Sequence, residues 1–139
     1  MPVIFTVDGD PRGKERPRFR GHAYTPAKTR QYEKAVKDAY IEKYGDFKYP
    51  DGTMLRMSIC AFYRIPKSVS KANKLLMLND VIRPTKKPDL DNIIKIIADA
   101  LNGVAYKDDS AIIDIRCYKK YATEPKVLIQ IEEVKPYGS

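Results

Sequence analysis

The sequence predicts a small α+β domain in which helices pack on one mixed or antiparallel sheet. Four segments alternate apolar and polar residues with the period of a strand, at about 3–7, 55–63, 113–117 and 127–131. Three further segments carry apolar residues at helical spacing, and glycine follows the two longer ones. At 139 residues, with no internal repeat or linker, the chain 1–139 is predicted to be a single domain.

The first half of the chain predicts a strand, a basic loop and a helix. Alternating Val3, Phe5 and Val7 indicate the strand, and proline and glycine break the loop over 10–20. The helix is predicted to begin at Thr25-Pro26, because proline suits the first helical position, and to end at Gly45. Its predicted buried stripe is Tyr32, Val36, Ala39 and Tyr40.

The second half predicts three strands and two helices. A strand over 55–63 precedes a short helix capped by Ser68 or Ser70, and a mobile basic loop over 79–88 follows. A helix from about Asp91 to Asn102 ends before Gly103, and two closing strands meet at a turn at 124–125. The predicted buried side of that helix is Ile93, Ile94, Ile97, Ala100 and Leu101.

The overall charge favours a polyanionic partner. Lys and Arg total 26 against 18 Asp and Glu, which gives a net charge of +8, and nucleic acid is the commonest polyanion. A basic surface that serves only solubility is the alternative. No apolar run approaches the roughly 20 residues of a membrane span, and the N-terminus lacks signal-peptide features, so a cytoplasmic protein without a membrane partner is expected. Cys60 and Cys117 lie too far apart for a zinc or redox motif and are expected to be reduced thiols.

Charge is distributed unevenly along the chain. Residues 1–30 carry seven basic and three acidic residues, and residues 64–87 carry seven basic residues and one acidic residue. Residues 88–115 reverse the sign, with six Asp and two Lys. The basic segments are expected to contact DNA phosphates, and the acidic one to form a site. The predicted DNA-binding residues are Arg12, Lys14, Arg16, Arg18, Arg20, Lys86 and Lys87.

The pair Asp89 and Asp91 predicts a metal site. In an extended backbone these two carboxylates project to the same side, with Leu90 pointing into the core. Neighbouring carboxylates repel unless a cation neutralises them, and Mg²⁺, with Mn²⁺ as a substitute, prefers such oxygen ligands. The alternative is structural, because Asp91 could simply cap the following helix.

Lys95 lies one helical turn after Asp91, and its side chain is expected to lean back toward the carboxylates. There it could stabilise charge that develops on a phosphoryl oxygen. The alternative is a routine surface ion pair between Asp91 and Lys95. Asp99 lies two turns from Asp91, too far to share a metal, and is expected to pair structurally, for example with Lys95.

The pair Asp108 and Asp109 could supply a third carboxylate. If the chain turns at Gly103 and returns along the helix, this pair approaches Asp89 and Asp91. A further oxygen ligand would bridge toward a second metal or orient the attacking water. The alternative is a polar turn before a strand.

These motifs together resemble the RusA family of endodeoxyribonucleases. The resemblance is carried by Pro88-Asp89-Leu90-Asp91-Asn92-Ile93-Ile94-Lys95, by Asp99-Ala100-Leu101 and by Asp108-Asp109. The basic N-terminal region and Ala23-Tyr24-Thr25-Pro26 look like those of phage-type members. The resemblance implies catalytic and metal-binding roles for Asp89, Asp91 and Asp109, with Lys95 in support. It also implies a magnesium-dependent homodimer that resolves four-way DNA (Holliday) junctions.

Two other functions remain as alternatives at this point. A non-catalytic basic DNA-binding protein would share the charge pattern, with its acidic turn only capping a helix. An Asp-x-Asp motif also holds metal–nucleotide complexes in glycosyl transfer, but no glycine-rich turn follows a strand here. Because His22 is the only histidine, covalent catalysis is disfavoured and attack by metal-activated water is expected.

Overall fold

A computed structural model of the chain describes residues 1–15, 18–19 and 21–136, with the side chains of Arg18 and Tyr24 left out. Within these ranges the chain forms six strands and three α-helices, which confirms the α+β class. The strands are β1 (Val3–Asp8), β2 (Arg18–Phe19), β3 (Ala23–Tyr24), β4 (Leu55–Arg64), β5 (Ile112–Ala122) and β6 (Lys126–Glu133). The helices are α1 (Ala27–Tyr44), α2 (Lys71–Leu78) and α3 (Leu90–Ala100), and a short 3₁₀ turn spans Asp109–Ala111.

The main sheet is mixed, with the strand order β1-β6-β4-β5. Strand β6 runs antiparallel to both β1 and β4, whereas the edge strand β5 runs parallel to β4. Alternate residues of β1, β4 and β6 are buried, as the period of two requires, and Met57 lies opposite Ile131 in the core. Strands β2 and β3 form a separate small hairpin.

Helix α1 begins after Pro26 and ends at Gly45, close to the predicted limits. Gly45 has a φ of 61°, a positive value that glycine adopts more readily than other residues, and its backbone N–H donates to the Ile41 carbonyl. The predicted stripe is confirmed, with Tyr32, Val36 and Tyr40 buried and Ala39 partly buried against the core. This helix packs against both β1 and α3.

Helix α3 carries the strongest apolar stripe of the described helices and ends in a tight turn. Its buried residues include Ile93 and Ile97, as predicted, while Ile94 is only partly buried. Gly103, at φ 74°, donates its backbone N–H to the Tyr106 carbonyl, and the buried Tyr106 hydroxyl donates to the Ala98 carbonyl at 2.8 Å. These two hydrogen bonds fix the segment that leads to Asp108 and Asp109.

The segment 79–88, which we call the strap, crosses the edge of the sheet at the end of β5. Lys120 Nζ lies 3.1 Å from a carboxylate oxygen of Asp80, and Lys119 Nζ donates to the Lys86 carbonyl at 2.7 Å. Adjacent residues of a strand point to opposite faces, so these two lysines hold the strap from both sides of the sheet. A different part of β5 is left open, since residues 113–116 are exposed.

Both described cysteines are free thiols, as expected, Cys60 buried and Cys117 partly so. Among the described residues, no helix combines the length and the apolar character that a membrane crossing requires.

Candidate active site

The two carboxylates Asp89 and Asp91 lie in the first turn of α3, and one part of the predicted geometry is wrong. Asp89 is the N-cap with an extended backbone, but the helix already begins at Leu90, so the extended conformation does not continue to Asp91. Leu90 is therefore not a core residue, and its side chain is 41% exposed. Side chains two positions apart converge on one side of a strand but not of a helix. The predicted convergence of the two carboxylates therefore no longer follows from the backbone, although both lie at the same end of α3.

The N-cap alternative for Asp91 is also wrong. The cap position belongs to Asp89, and the Asp89 side chain makes no capping hydrogen bond. Asp91 instead accepts a hydrogen bond from the backbone N–H of Asn92 at 3.0 Å. Because the helix does not use the Asp89 carboxylate as a cap, this group remains available to a ligand.

Two contacts hold the backbone on either side of Asp89, one at Pro88 and one at Asn92. The Tyr63 hydroxyl donates to the Pro88 carbonyl at 2.9 Å, and burial, with a smaller contribution from Asp89 among the neighbouring groups, raises the pKa of Tyr63 to about 12. From the other side, the backbone N–H of Lys14 donates to the Asn92 carbonyl at 2.9 Å. A Cβ at Gly13 would lie 2.9 Å from side-chain atoms of both Pro88 and Asn92, so only glycine permits this approach.

A cleft of about 660 Å³ opens beside Asp89. Its walls are the N-terminal loop, the beginning of α1, the end of β4 and the strap. Exposed basic side chains dominate its lining, which includes Arg12, Lys28, Arg64, Lys86 and Lys87. The cleft thus combines Asp89 with a lining that is basic on balance, because six basic residues outnumber the two other acidic ones, Asp10 and Glu15.

The predicted DNA-binding residues fall into three groups. Arg12, Lys86 and Lys87 line the cleft and are exposed. Lys14 also lines it, but its ammonium lies 3.0 Å from Glu33 and 3.5 Å from Asp99 and is only 18% exposed. The remaining predictions fall on Arg16 and Arg20, which lie outside the described residues, and on Arg18, of which only the backbone in β2 is described.

Lys95 is placed differently from the prediction. Its ammonium lies 3.6 Å from Asp99, one turn toward the C-terminus, and its side chain is 63% exposed. This confirms the structural pairing of Asp99, which Lys14 completes from the N-terminal loop. The expected lean of Lys95 toward Asp91 is not the conformation observed, because Asp99 offers it an opposite charge at i+4.

The members of the second acidic pair have different environments. The Asp108 carboxylate caps the 3₁₀ turn by accepting from the Ser110 N–H at 3.0 Å, and hydrogen bonds from Ser110 hold the pKa of Asp108 below its usual value. Asp109 is partly buried and begins that turn. Burial first, and then the charges of Asp109, Asp99 and Asp108, raise the pKa of Tyr106 above its usual range. Asp109 thus lies near the C-terminal half of α3.

The sheet register separates Asp109 from Asp89. Ile112, three residues after Asp109, pairs with Leu55 at one end of β4, whereas Tyr63, which contacts Pro88, lies near the other end. Eight residues of strand span on the order of 26 Å. Over residues 1–15, 18–19 and 21–136, no group of three or more acidic, histidine or cysteine side chains could hold a metal. A single chain therefore does not assemble the predicted three-carboxylate set.

Comparison with known proteins identifies the family. The model of the endodeoxyribonuclease RusA family matches residues 8–132. The chain belongs to the RusA endodeoxyribonuclease family. It is also 35% identical to YqaN, an uncharacterized protein of Bacillus subtilis (strain 168), over 142 residues that cover 95% of this chain and 96% of YqaN.

The RusA family match spans the cleft, the acidic residues and the strands β4, β5 and nearly all of β6, whereas it includes only the last residue of β1. It confirms the predicted family and a nuclease class that acts on DNA junctions. The family match leaves the roles of individual residues in this chain open.

Several residues of the RusA-family cleft were missed by sequence reasoning. Lys28 and Arg64 line it, yet the sequence marked them only as members of basic segments. Thr29 lines it as well and is 2% exposed, and no sequence signal singles out a threonine in a helix. Tyr63 and Tyr106 are buried, and their hydroxyls donate to backbone carbonyls, so neither ring is exposed for stacking on a base.

Proposed function

We propose that this RusA-family protein is a magnesium-dependent endonuclease that resolves four-way DNA junctions by paired phosphodiester hydrolysis. The observation that carries the proposal is the Asp89 carboxylate. It lies at the start of α3, makes no capping hydrogen bond to the helix, and lines a basic cleft. A protein that only bound DNA would have no use for an unneutralised carboxylate beside its phosphate-binding cations, because that charge repels the ligand.

The donor chemistry of the acidic pair fits a hard cation. Asp89 and Asp91 are exposed carboxylates in the first turn of one helix, and Mg²⁺ is commonly held by one or two carboxylates and several waters. Mn²⁺ is expected to substitute, since it accepts the same oxygen donors. A bound cation would supply Lewis acidity and an activated water for attack on phosphorus.

The protein's own residues would hold the substrate around that centre. Arg12, Lys86 and Lys87 would grip backbone phosphates at the cleft, and their attraction should weaken with salt. Lys95 would leave Asp99 and swing toward the reacting phosphate, where its ammonium stabilises charge on an oxygen. Breaking the Lys95–Asp99 ion pair would cost little free energy, because an exposed i,i+4 pair contributes only about 0.3–0.5 kcal/mol.

We infer a homodimer from the incomplete acidic site and from the open edge of β5. Ile113 is 56% exposed and Ile115 is 36% exposed, and an exposed apolar strand edge is a natural pairing surface. If two copies paired antiparallel about Ile115, Asp109 of the partner subunit would come level with Tyr121. Tyr121 pairs with Tyr63, next to Pro88 and Asp89. A second copy would then supply the third carboxylate, and the symmetric pair would cut opposing strands.

Complementation between inactive variants tests this arrangement. Mixed dimers of Asp89→Asn and Asp109→Asn protomers would contain one intact site, so they should nick one strand of a junction. Mixed dimers of Asp89→Asn and Asp91→Asn are the matched control and should stay inactive, because both residues come from the same chain. Equal inactivity of the two mixtures would refute the shared site, and a monomer in sedimentation, free and on DNA, would refute the dimer.

Incubation of the purified protein with a labelled four-way junction, with Mg²⁺ or with a chelator, tests the nuclease itself. Cleavage only with the metal supports the proposal, and tight binding without cleavage in Mg²⁺ or Mn²⁺ would favour the non-catalytic DNA-binding alternative. The expected cytoplasmic location of the protein also stays a prediction.

A further inference from the structure

The N-terminus of α1 opens into the cleft without a side-chain cap. Its N-cap is Pro26, which has no acceptor side chain, and its first turn contains no acidic residue. The helix is 18 residues long, and its first backbone N–H donors have no partner within the helix. Such an end attracts anions through its free N–H groups and its dipole. Helix ends without a side-chain cap are common, so this feature by itself does not indicate a ligand. A second, independent feature must do so.

That second feature is Thr29, in the first turn of the same helix. Its side chain is 2% exposed and lines the cleft, and its Oγ1 has no hydrogen-bond partner among the described residues. A buried hydroxyl without a partner costs about 1–3 kcal/mol, so it is seldom retained without a use. One turn further along α1, the Tyr32 hydroxyl is also buried and has no partner within the described part of the chain. Thr29 thus supplies, in the first turn of the uncapped helix, a buried hydroxyl without a partner among the described residues.

The charges around these donors are basic. Arg12 and Lys28 are exposed, and both line the cleft as well as an adjoining cavity of about 280 Å³ that reaches Tyr32. An anion at the helix end would meet N–H and hydroxyl donors and two cations, which is the donor set that a phosphate oxygen prefers. Asp89 lines the same cleft, so an anion here would sit on the path of a substrate that reaches the carboxylate.

We propose that the N-terminus of α1, with Thr29, Lys28 and Arg12, is a binding subsite for a DNA backbone phosphate other than the one that is cut. The proposal rests on the proposed nuclease function and deepens it, because the subsite would fix the register of the strand relative to Asp89. Thr29 is a positioning residue in this scheme. It donates a hydrogen bond to a phosphate oxygen and takes no part in bond breaking.

Thr29→Val separates this role from a structural one, since it removes the hydroxyl and keeps the shape. Without metal, junction affinity should fall on the order of 10-fold, as expected for a lost hydrogen bond to a charged group. Thermal stability should stay the same or rise, because the unpaired buried hydroxyl disappears. Thr29→Ser keeps the hydroxyl and should retain affinity. Thr6→Val, in an exposed position of β1, is the matched control and should change neither property.

A neutral backbone locates the subsite. Methylphosphonate linkages carry no charge, and when placed at single positions of the junction they should weaken binding by the wild type. At one of these positions the wild type and Thr29→Val should bind the junction with equal affinity. Inorganic phosphate should also shift the amide NMR signals of residues 27–29, and Lys28→Gln should weaken that shift.

Unchanged junction affinity in Thr29→Val, or no position at which the two proteins become equal, would overturn the subsite while leaving cleavage intact. Failure of the nuclease proposal looks different. The wild type would not cut with any metal, yet the phosphate-dependent amide shifts and the Thr29→Val loss would persist.

Discussion

The N-termini of α2 and α3 have similar backbones but use their polar residues differently. At α2, the Ser70 hydroxyl accepts a hydrogen bond from the Asn73 N–H at 3.1 Å and so caps the helix. At α3, Asp89 occupies the same position with the same extended backbone, yet its carboxylate makes no such bond. One polar side chain stabilises its helix, and the other is left free beside a basic cleft.

The same contrast recurs between neighbours at 108 and 109. The Asp108 carboxylate caps the 3₁₀ turn, whereas Asp109 is the member that the family resemblance implies in catalysis. A side chain engaged in a cap gains little from a ligand, because binding would first break the existing hydrogen bond. The comparison favours Asp89 and Asp109 as candidates for chemistry, whereas Asp91, which accepts from the Asn92 N–H at 3.0 Å, is a candidate through the family resemblance.

The largest expected effect follows from removing these carboxylates. Asp89→Asn, Asp91→Asn and Asp109→Asn should each abolish cleavage of a labelled junction in Mg²⁺, because each removes an expected metal ligand. Junction binding should stay the same or tighten, since each change also removes a charge that repels phosphate. Gel-shift and cleavage assays on the same preparations measure both.

Asp108→Asn is the matched control for this set and should retain cleavage. The reverse pattern, with an inactive Asp108→Asn and an active Asp109→Asn, would show that the other member of the pair carries the chemistry. Normal cleavage by any one of the three variants would remove that residue from the proposed site.

A smaller effect is expected at Lys95. Lys95→Ala should slow cleavage on the order of 10²-fold if the ammonium stabilises charge in the transition state. Lys95→Arg should be milder, because it keeps the charge, and junction affinity should change much less than the rate. Single-turnover kinetics at saturating protein isolate the cleavage step.

Lys34→Ala provides the comparison for Lys95. Lys34 makes the same kind of i,i+4 pair, with Asp38 at 2.6 Å on an exposed part of α1, so its loss should leave the rate unchanged. If the two alanine variants cleave equally fast, Lys95 has only the surface role that its pair with Asp99 indicates.

The smallest effect concerns stability at the two compared helix ends. Ser70→Ala should lower the free energy of unfolding by about 1 kcal/mol, the usual contribution of a cap. Asp89→Ala should cost less, because only the interaction of its charge with the helix dipole is lost, and high salt should screen that remainder. Urea unfolding at low and high salt tests both. An equal, salt-independent cost at Asp89 would mean that its carboxylate serves the fold after all.

The sequence predicted the elements well because local chemistry decides them. Proline before α1 and glycine after it, the alternation in β4 and the apolar stripe of α3 all belong to short segments. Leu90 was wrongly predicted to point into the core because α3 begins one residue earlier than predicted. Helix boundaries are the part of a helix that a sequence pattern determines least well.

The candidate site was only partly predictable, because its geometry depends on contacts that are distant in sequence. The pairing of β5 with β4 places Asp109 far from Asp89, and no local pattern states which strands will pair. Lys14 was grouped with DNA-binding residues, but Glu33 and Asp99 approach it from two different helices. Likewise, the Thr29 hydroxyl becomes buried, without a partner among the residues that the structure describes, only once the chain has folded.

The double attachment of the strap has a consequence for how the chain tolerates insertions. Lys119 and Lys120 hold it from opposite faces, so a slip of β5 by one position would exchange those faces and detach both anchors together. A slip by two positions would keep the faces but draw the strap along the strand by about 7 Å. The position of Asp89 relative to the cleft thus depends on the register between β4 and β5, because Tyr63 and the strap connect these strands to Pro88. Insertions in 66–78 should therefore disturb the site less than insertions in β5.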